Sequence, residues 1–211
     1  MLLILAGDKM QNNQELIKHL ITRKVLKTKT IIDAFWAIDR INFVRPKYLD
    51  EAYGDYPLPI EYGQTISQPY TVAFMLELLQ PQKGDKVLDV GAGSGWTTAL
   101  LAHIVGKEGS VLGVELVPEL VEFGKRNLNK YHTSNAEIVQ ADGNLGKAGE
   151  EYDKILVSAS AVDMPHELVE QLKIGGRMVI PVRSSIYVVD KISKDNIEEK
   201  EYYGFAFVPL R

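Results

Sequence analysis

There is no cysteine among the 211 residues of this sequence. That single absence removes disulfides, thiolate metal sites and cysteine nucleophiles. Excess charge is also scarce: 24 basic against 28 acidic residues leave a net charge of −4. A nucleic-acid partner needs a basic face to neutralise phosphates, and the lysines and arginines are scattered, so none is expected. No apolar run approaches the roughly 20 residues of a bilayer-crossing helix, so no membrane partner is expected either. The opening MLLILAGDKM is apolar but lacks a basic leader and an adequate apolar core, and does not read as a signal peptide. The expectation is a cytoplasmic protein, taken as a monomer. The four histidines, at 19, 103, 132 and 166, show no ligand spacing, so no metal site is expected.

What is present is ordinary globular composition, 45% hydrophobic and 25% charged. The length suits one α/β domain with an accessory segment. A helix is predicted over NNQELIKHLIT, residues 12–22, with Leu16, Ile17, Leu20 and Ile21 on one face. A second is predicted over TIIDAFWAIDR, with Ile31, Ala34, Phe35 and Ile38 as its stripe. Phe35, Trp36 and Phe43 read as packing of these helices. Residues 41–64, INFVRPKYLDEAYGDYPLPIEYGQ, show no sustained period and read as an ordered, aromatic-rich loop. A loop that long is more often functional than idle.

From residue 86 strand and helix alternate: KVLDV, GWTTALLAHIV, SVLGVE, PELVEFGKRNL, AEIVQAD, DKILVSAS, HELVEQLK, GRMVIPV. Such alternation means parallel crossovers and an α/β doubly wound sheet. SIYVVDKIS and EYYGFAFVPL add an antiparallel strand pair around a charged turn, KDNIEEKE. The division expected is 1–80 for the amino-terminal helices and loop, and 81–211 for the sheet domain.

The densest chemistry is VLDVGAGSGW, residues 87–96. Gly91, Gly93 and Gly95 follow an apolar strand and precede a helix, where a ligand can approach the bare backbone. The dinucleotide fingerprint G-x-G-x-x-G would put its third glycine at Trp96, so the pattern here suits a ligand without a pyrophosphate. Asp89 precedes the turn and Ala92 lies within it. Glu115, about 20 positions on, is placed to bind ribose hydroxyls, with Leu116 beside it. Asp142-Gly143 ends the third strand where an adenine edge would lie, although Asp-Gly alone is a turn signal.

These features resemble the class I S-adenosylmethionine-dependent methyltransferases, which have a Rossmann-like fold. That resemblance implies S-adenosylmethionine as cofactor and S-adenosylhomocysteine as product. More narrowly, RINFVRPKYLDEAYGDYPLPIEYGQTISQPYTVAFMLELL (40–79), DMPHELVEQLKIGGRMVIPV (163–182) and FVPL (207–210) resemble the protein-L-isoaspartate O-methyltransferase family. The family's active-site serine matches Ser67, in TIS. Thr65, Ile66 and Gln68 are then expected to bind substrate. The sequence departs from the family's usual pattern at Arg183, at SASAVDMP and at Trp96.

On its own, Ser67 reads equally as a helix N-cap, because TVAFMLELL begins just after it and Pro69 suits a first turn. The resemblance favours a carboxylate-binding role. The implied reaction is methyl transfer to the α-carboxyl of L-isoaspartyl residues in damaged proteins or peptides. Two alternatives stand beside it: a related O-methyltransferase acting on another carboxylate, and a binding module that holds the cofactor without turnover. The short sequence after FVPL counts against peptide-tailoring relatives. A dehydrogenase is disfavoured by Trp96 and by the lack of a hydride-transfer acid or base. Tyr53, Tyr56, Tyr62 and Tyr70 are candidate walls for an extended peptide, and Arg183 reads as a solvated residue.

Overall fold

The computed structural model describes residues 10–147 and 149–210. The opening run, MLLILAGDKM, which does not read as a signal peptide, falls almost wholly outside them. Helix α1, Asn13–Thr22, begins where the Asn12 side chain accepts a hydrogen bond from the Glu15 amide at 2.9 Å, the usual N-cap arrangement. Leu16, Ile17 and Leu20 are buried, but Ile21 is 41% exposed. It lies about 100° round the helix from Leu20, at the edge of the stripe. Helix α2, Lys29–Ala37, buries Ile31, Ala34 and Phe35, and Ile38 follows them into the core. Trp36, expected to pack, faces outward instead.

The segment expected as loop contains more order than its sequence shows. Two 3-10 turns, Arg40–Phe43 and Pro46–Glu51, lead into a hairpin of β1, Leu58–Glu61, and β2, Gln64–Ile66. The prolines at 57 and 59 hide this hairpin, since proline is tolerated only at edges and ends of strands. Its turn is strained, with Glu61, Tyr62 and Gly63 all at positive φ. Helix α3 follows at Pro69–Leu79.

The main sheet is built from β3 (Lys86–Val90), β4 (Ser110–Glu115), β5 (Ala136–Gln140), β6 (Tyr152–Val157), β7 (Leu172–Val182), β8 (Ser185–Ser193) and β9 (Asn196–Tyr203). Between them run α4 (Trp96–Val105), α5 (Pro118–Asn129) and α6 (His166–Glu170). The strand order is β5-β4-β3-β6-β7-β8-β9, parallel from β5 to β7 and antiparallel beyond. This is the doubly wound sheet with an antiparallel carboxy-terminal pair that the alternation predicts. The chain reverses direction across the sheet between β3 and β6, which opens a crevice beyond their carboxyl ends. Helix α4 is apolar nearly all round and is buried on almost every side, lying between the sheet and α2.

Two boundaries differ from expectation. Helix α6 stops at Glu170, because Leu172 already pairs with Tyr152 in the sheet. The charged stretch expected as a turn is mostly strand: only Lys194 and Asp195 turn, and Asn196–Tyr203 pairs along β8. Backbone pairing outweighs weak strand propensity there, and the charges lie on a sheet edge, where they block further pairing. After β9 the tail leaves the sheet, and a reciprocal pair of bonds ties Ser160 to Val208 and Leu210, each at 2.8 Å. Among the described residues no helix is long and apolar enough to cross a membrane.

Candidate active site

A cleft lies beyond the carboxyl ends of β3, β4, β5 and β6. Its floor is the turn after β3, where Gly91, Gly93 and Gly95 all take positive φ, at 79°, 51° and 83°. These glycines have different tasks. Gly91 and Gly93 line the cleft together with Ala92. Gly95 does not line it, and a Cβ there would sit 2.9 Å from the Gly124 carbonyl oxygen. Gly95 therefore lets α5 pack closely against the turn. Gly124, in mid-helix, is the second half of that contact and was the sequence signal for it.

The acid after β4 is held firmly. Glu115 is only 7% exposed, accepting from the Gly93 amide through Oε2 and the Val117 amide through Oε1, each at 2.9 Å. Both bonds fix the carboxylate on the cleft wall and leave lone pairs free, as binding a vicinal diol requires. Leu116 lies on the rim beside it.

Asp89 lies one layer below the cleft and is fully buried. Thr97 and Thr98 both donate to its Oδ2, at 2.7 and 2.6 Å, while Oδ1 has no partner. Burial pushes its carboxyl up to about 6 against the pull of the two hydroxyls, and Glu115 adds to the rise. An orphaned anionic oxygen under a glycine turn suits a ligand carrying a cation. Asp142 sits between Ala141 and Gly143, which line the cleft. It is exposed, and its Oδ1 accepts from the Asn144 amide and side chain at 3.1 Å, which holds the carboxyl below its usual range. Gly143, Asn144 and Leu145 form the wall there.

Across the cleft stand Thr65, Ile66 and Ser67, at the end of β2. Ser67 is not a helix cap. Gln68 occupies the N-cap position of α3, and the Tyr70 amide donates at 2.8 Å to Asp55, fifteen residues upstream. Gln68 does not line the cleft, and its side chain donates to the Asp55 carbonyl at 2.9 Å. With capping done from elsewhere, the Ser67 hydroxyl has no hydrogen-bond partner among the described residues.

Of the four tyrosines, Tyr53 bonds Asp39, Tyr56 bonds Glu51 and Tyr70 packs under Arg23. Tyr62 alone is exposed to half its surface, at the hairpin tip. Arg183 is solvated and paired with Asp163 at 2.9 Å. Several residues escaped sequence reasoning. Ser158 and Ala159 line the cleft just past the end of β6, and Val208, Pro209 and Leu210 line it from the tail. Only the apolar FVPL marked the latter. Arg40 is fully buried behind Ser67, with no signal beyond its place in an apolar-flanked loop.

A family model described as protein-L-isoaspartate(D-aspartate) O-methyltransferase matches residues 10–211. The chain belongs to this family. Protein-L-isoaspartate O-methyltransferase 2 of Archaeoglobus fulgidus is 46% identical over 87% of this chain and 86% of its own length. The Pyrococcus horikoshii protein-L-isoaspartate O-methyltransferase is 42% identical over 96% of this chain and 93% of its own. A Plasmodium falciparum family structure in complex with S-adenosyl-L-homocysteine superposes with a TM-score of 0.86, at 25% identity. It covers 96% of this chain and 99% of that one. The family uses S-adenosylmethionine, and the residues here fit it: bare glycines, a fixed acid on the wall and an unpaired buried carboxylate oxygen.

Proposed function

We propose that this chain methylates the α-carboxyl of L-isoaspartyl residues in damaged proteins and peptides. The observation that supports this most is one shared cleft: Thr65–Ser67 on one wall, Gly91–Gly93 and Glu115 on the other. S-adenosylmethionine, when bound, supplies an electrophilic methyl group. Gly91, Ala92 and Gly93 would hold its methionine part, with Asp89 beneath them favouring its ammonium. Glu115 and Leu116 would hold the ribose, and Gly143 with its neighbours the adenine.

The acceptor needs little activation. An α-carboxyl has a reference pKa of about 3.5, so it is ionised at neutral pH and no general base is required. Ser67 donates its free hydroxyl to one carboxylate oxygen and leaves the other to attack. Thr65 and Ile66 shape the wall around it. Ile60, Ile66 and Val72 make part of the lining apolar, which excludes water from the nucleophile. The contribution of the protein is orientation and electrostatics rather than proton transfer. A cytoplasmic location and a monomeric state complete the proposal.

Two peptides that differ only in isoaspartate versus aspartate test it, with labelled S-adenosylmethionine. Base-labile label on the isoaspartyl peptide alone, lost in Ser67→Ala, is expected. Label on neither peptide, with cofactor still bound, would overturn the reading and point to another carboxylate.

A further inference from the structure

The Ser67 wall has a cation behind it that makes no ion pair among the described residues. Arg40 is 0% exposed, and its guanidinium donates only to carbonyl oxygens. Nη1 reaches Ala52 at 2.6 Å and Gly54 at 3.4 Å. Nη2 reaches Tyr56 at 3.1 Å and Ser67 at 3.2 Å. One face lies 5.5 Å from the Trp96 ring, itself on the cleft. Asp55 is the carboxylate that acts on it most, but its Oδ1 accepts from the Tyr70 amide, and its Oδ2 lies 3.5 Å from His19 Nε2 rather than on the guanidinium. Burial pushes the guanidinium down only to about 9, so it is charged at neutral pH.

A buried charge without a carboxylate partner is costly to keep. Carbonyl dipoles offset part of that cost and bind three chain segments together, and Asp55 offsets more from a distance without bonding the guanidinium. That charge lies one residue behind the hydroxyl facing the cleft. An incoming carboxylate would feel it through protein rather than water, where charges interact more strongly. Distance also matters. A guanidinium in direct bidentate contact would hold both oxygens and blunt the nucleophile, whereas one set behind a carbonyl attracts the anion and leaves it free.

We propose that Arg40 is a positioning residue that draws the substrate carboxylate to Ser67 by its buried, unpaired charge without touching it. This rests on the methyl-transfer reading above. A structural role alone would lower activity in proportion to lost folding. The electrostatic role instead alters the preference for a carboxylate over a neutral group of the same shape.

The experiment measures KM for an isoaspartyl peptide, and the inhibition constant of the same peptide with that α-carboxyl replaced by a carboxamide. The wild type, Arg40→Met, Arg40→Lys and Asp55→Asn are compared. Arg40→Met is expected to cut the carboxylate preference about tenfold, as loss of one close charge interaction does, with KM for S-adenosylmethionine unchanged. Arg40→Lys, which keeps the charge, retains most of the preference. Asp55→Asn, which removes the opposing charge and keeps an acceptor for the Tyr70 amide, increases it. An unchanged preference in folded Arg40→Met overturns the inference. If that variant does not fold, an unchanged or smaller preference in Asp55→Asn overturns it instead. A wild type that methylates no isoaspartyl peptide would sink the functional reading itself, which is a separate result.

Discussion

The two walls of the cleft are held in place by different means. The glycine turn, Glu115 and the Gly143 loop hang from the ends of parallel strands, and regular backbone pairing sets their positions. The Ser67 wall hangs from a two-stranded hairpin and irregular turns. There the positions depend on side chains bonding distant backbone: Arg40 to residues 52–67, Asp55 to Tyr70, and Arg45 to the Ile60 carbonyl at 3.0 Å. Cofactor and substrate sites can therefore fail independently. A change on the strand side should cost cofactor affinity, and one on the hairpin side should cost substrate use.

The sharpest break is Ser67→Ala. If the hydroxyl is the main donor to the acceptor, kcat/KM falls on the order of 100-fold, as on loss of one preorganised donor. Titration calorimetry should find S-adenosylhomocysteine binding unaltered. Glu115→Ala should do the reverse. Loss of charge-assisted bonds weakens cofactor affinity by about 10- to 100-fold, while the peptide KM in saturating cofactor stays put. If both constants move together, the two walls are not separate.

Gly124→Ala probes the joint beneath the turn. Its new Cβ would lie 2.9 Å from Ile138 Cδ1 and 3.0 Å from the Gly93 carbonyl oxygen, so overpacking should cost about 1–3 kcal/mol. A chain of this size should lose a few degrees of Tm for each ~1 kcal/mol. A stability unchanged by the substitution would show that the turn and α5 have slack.

Asp89 gives a pH test. Its carboxyl is raised from 3.8 to about 6 on folding, chiefly by burial. The folded state therefore prefers the protonated form. The favourable contribution is fully present below pH ~4 and is lost as pH rises towards ~6, by linkage. Denaturant unfolding should show this fall of a few kcal/mol in the wild type, and Asp89→Asn should lack it. A bound cationic ligand should shrink it as well.

The smallest effect is expected at the hairpin tip. Tyr62→Ala should raise the peptide KM by about fivefold or less if the exposed ring contributes under ~1 kcal/mol of contact. No change would remove tyrosine from the peptide path altogether.

The sheet, the glycine turn and the acid after β4 were legible in the sequence because each is local. Period, glycine spacing and strand-end position are set within about 30 residues, and parallel pairing follows from them. The hairpin is not legible, because prolines mask its alternation. Asp142 has a local tie that its Asp-Gly signal does not show: its Oδ1 accepts from the Asn144 amide and side chain, two residues on.

Ser67 shows the limit most clearly. Sequence alone leaves it balanced between cap and site, and family likeness tips it towards the site. What frees its hydroxyl is Asp55 capping α3 and Arg40 holding its carbonyl, residues 12 and 27 positions away. A side chain that bonds distant backbone has no period and leaves no local pattern. The sheet and the cofactor turn follow from local hydrophobic rhythm and backbone freedom, which any short stretch of the chain already carries. What the serine faces is set by the folded arrangement, because it depends on which distant groups satisfy its neighbours.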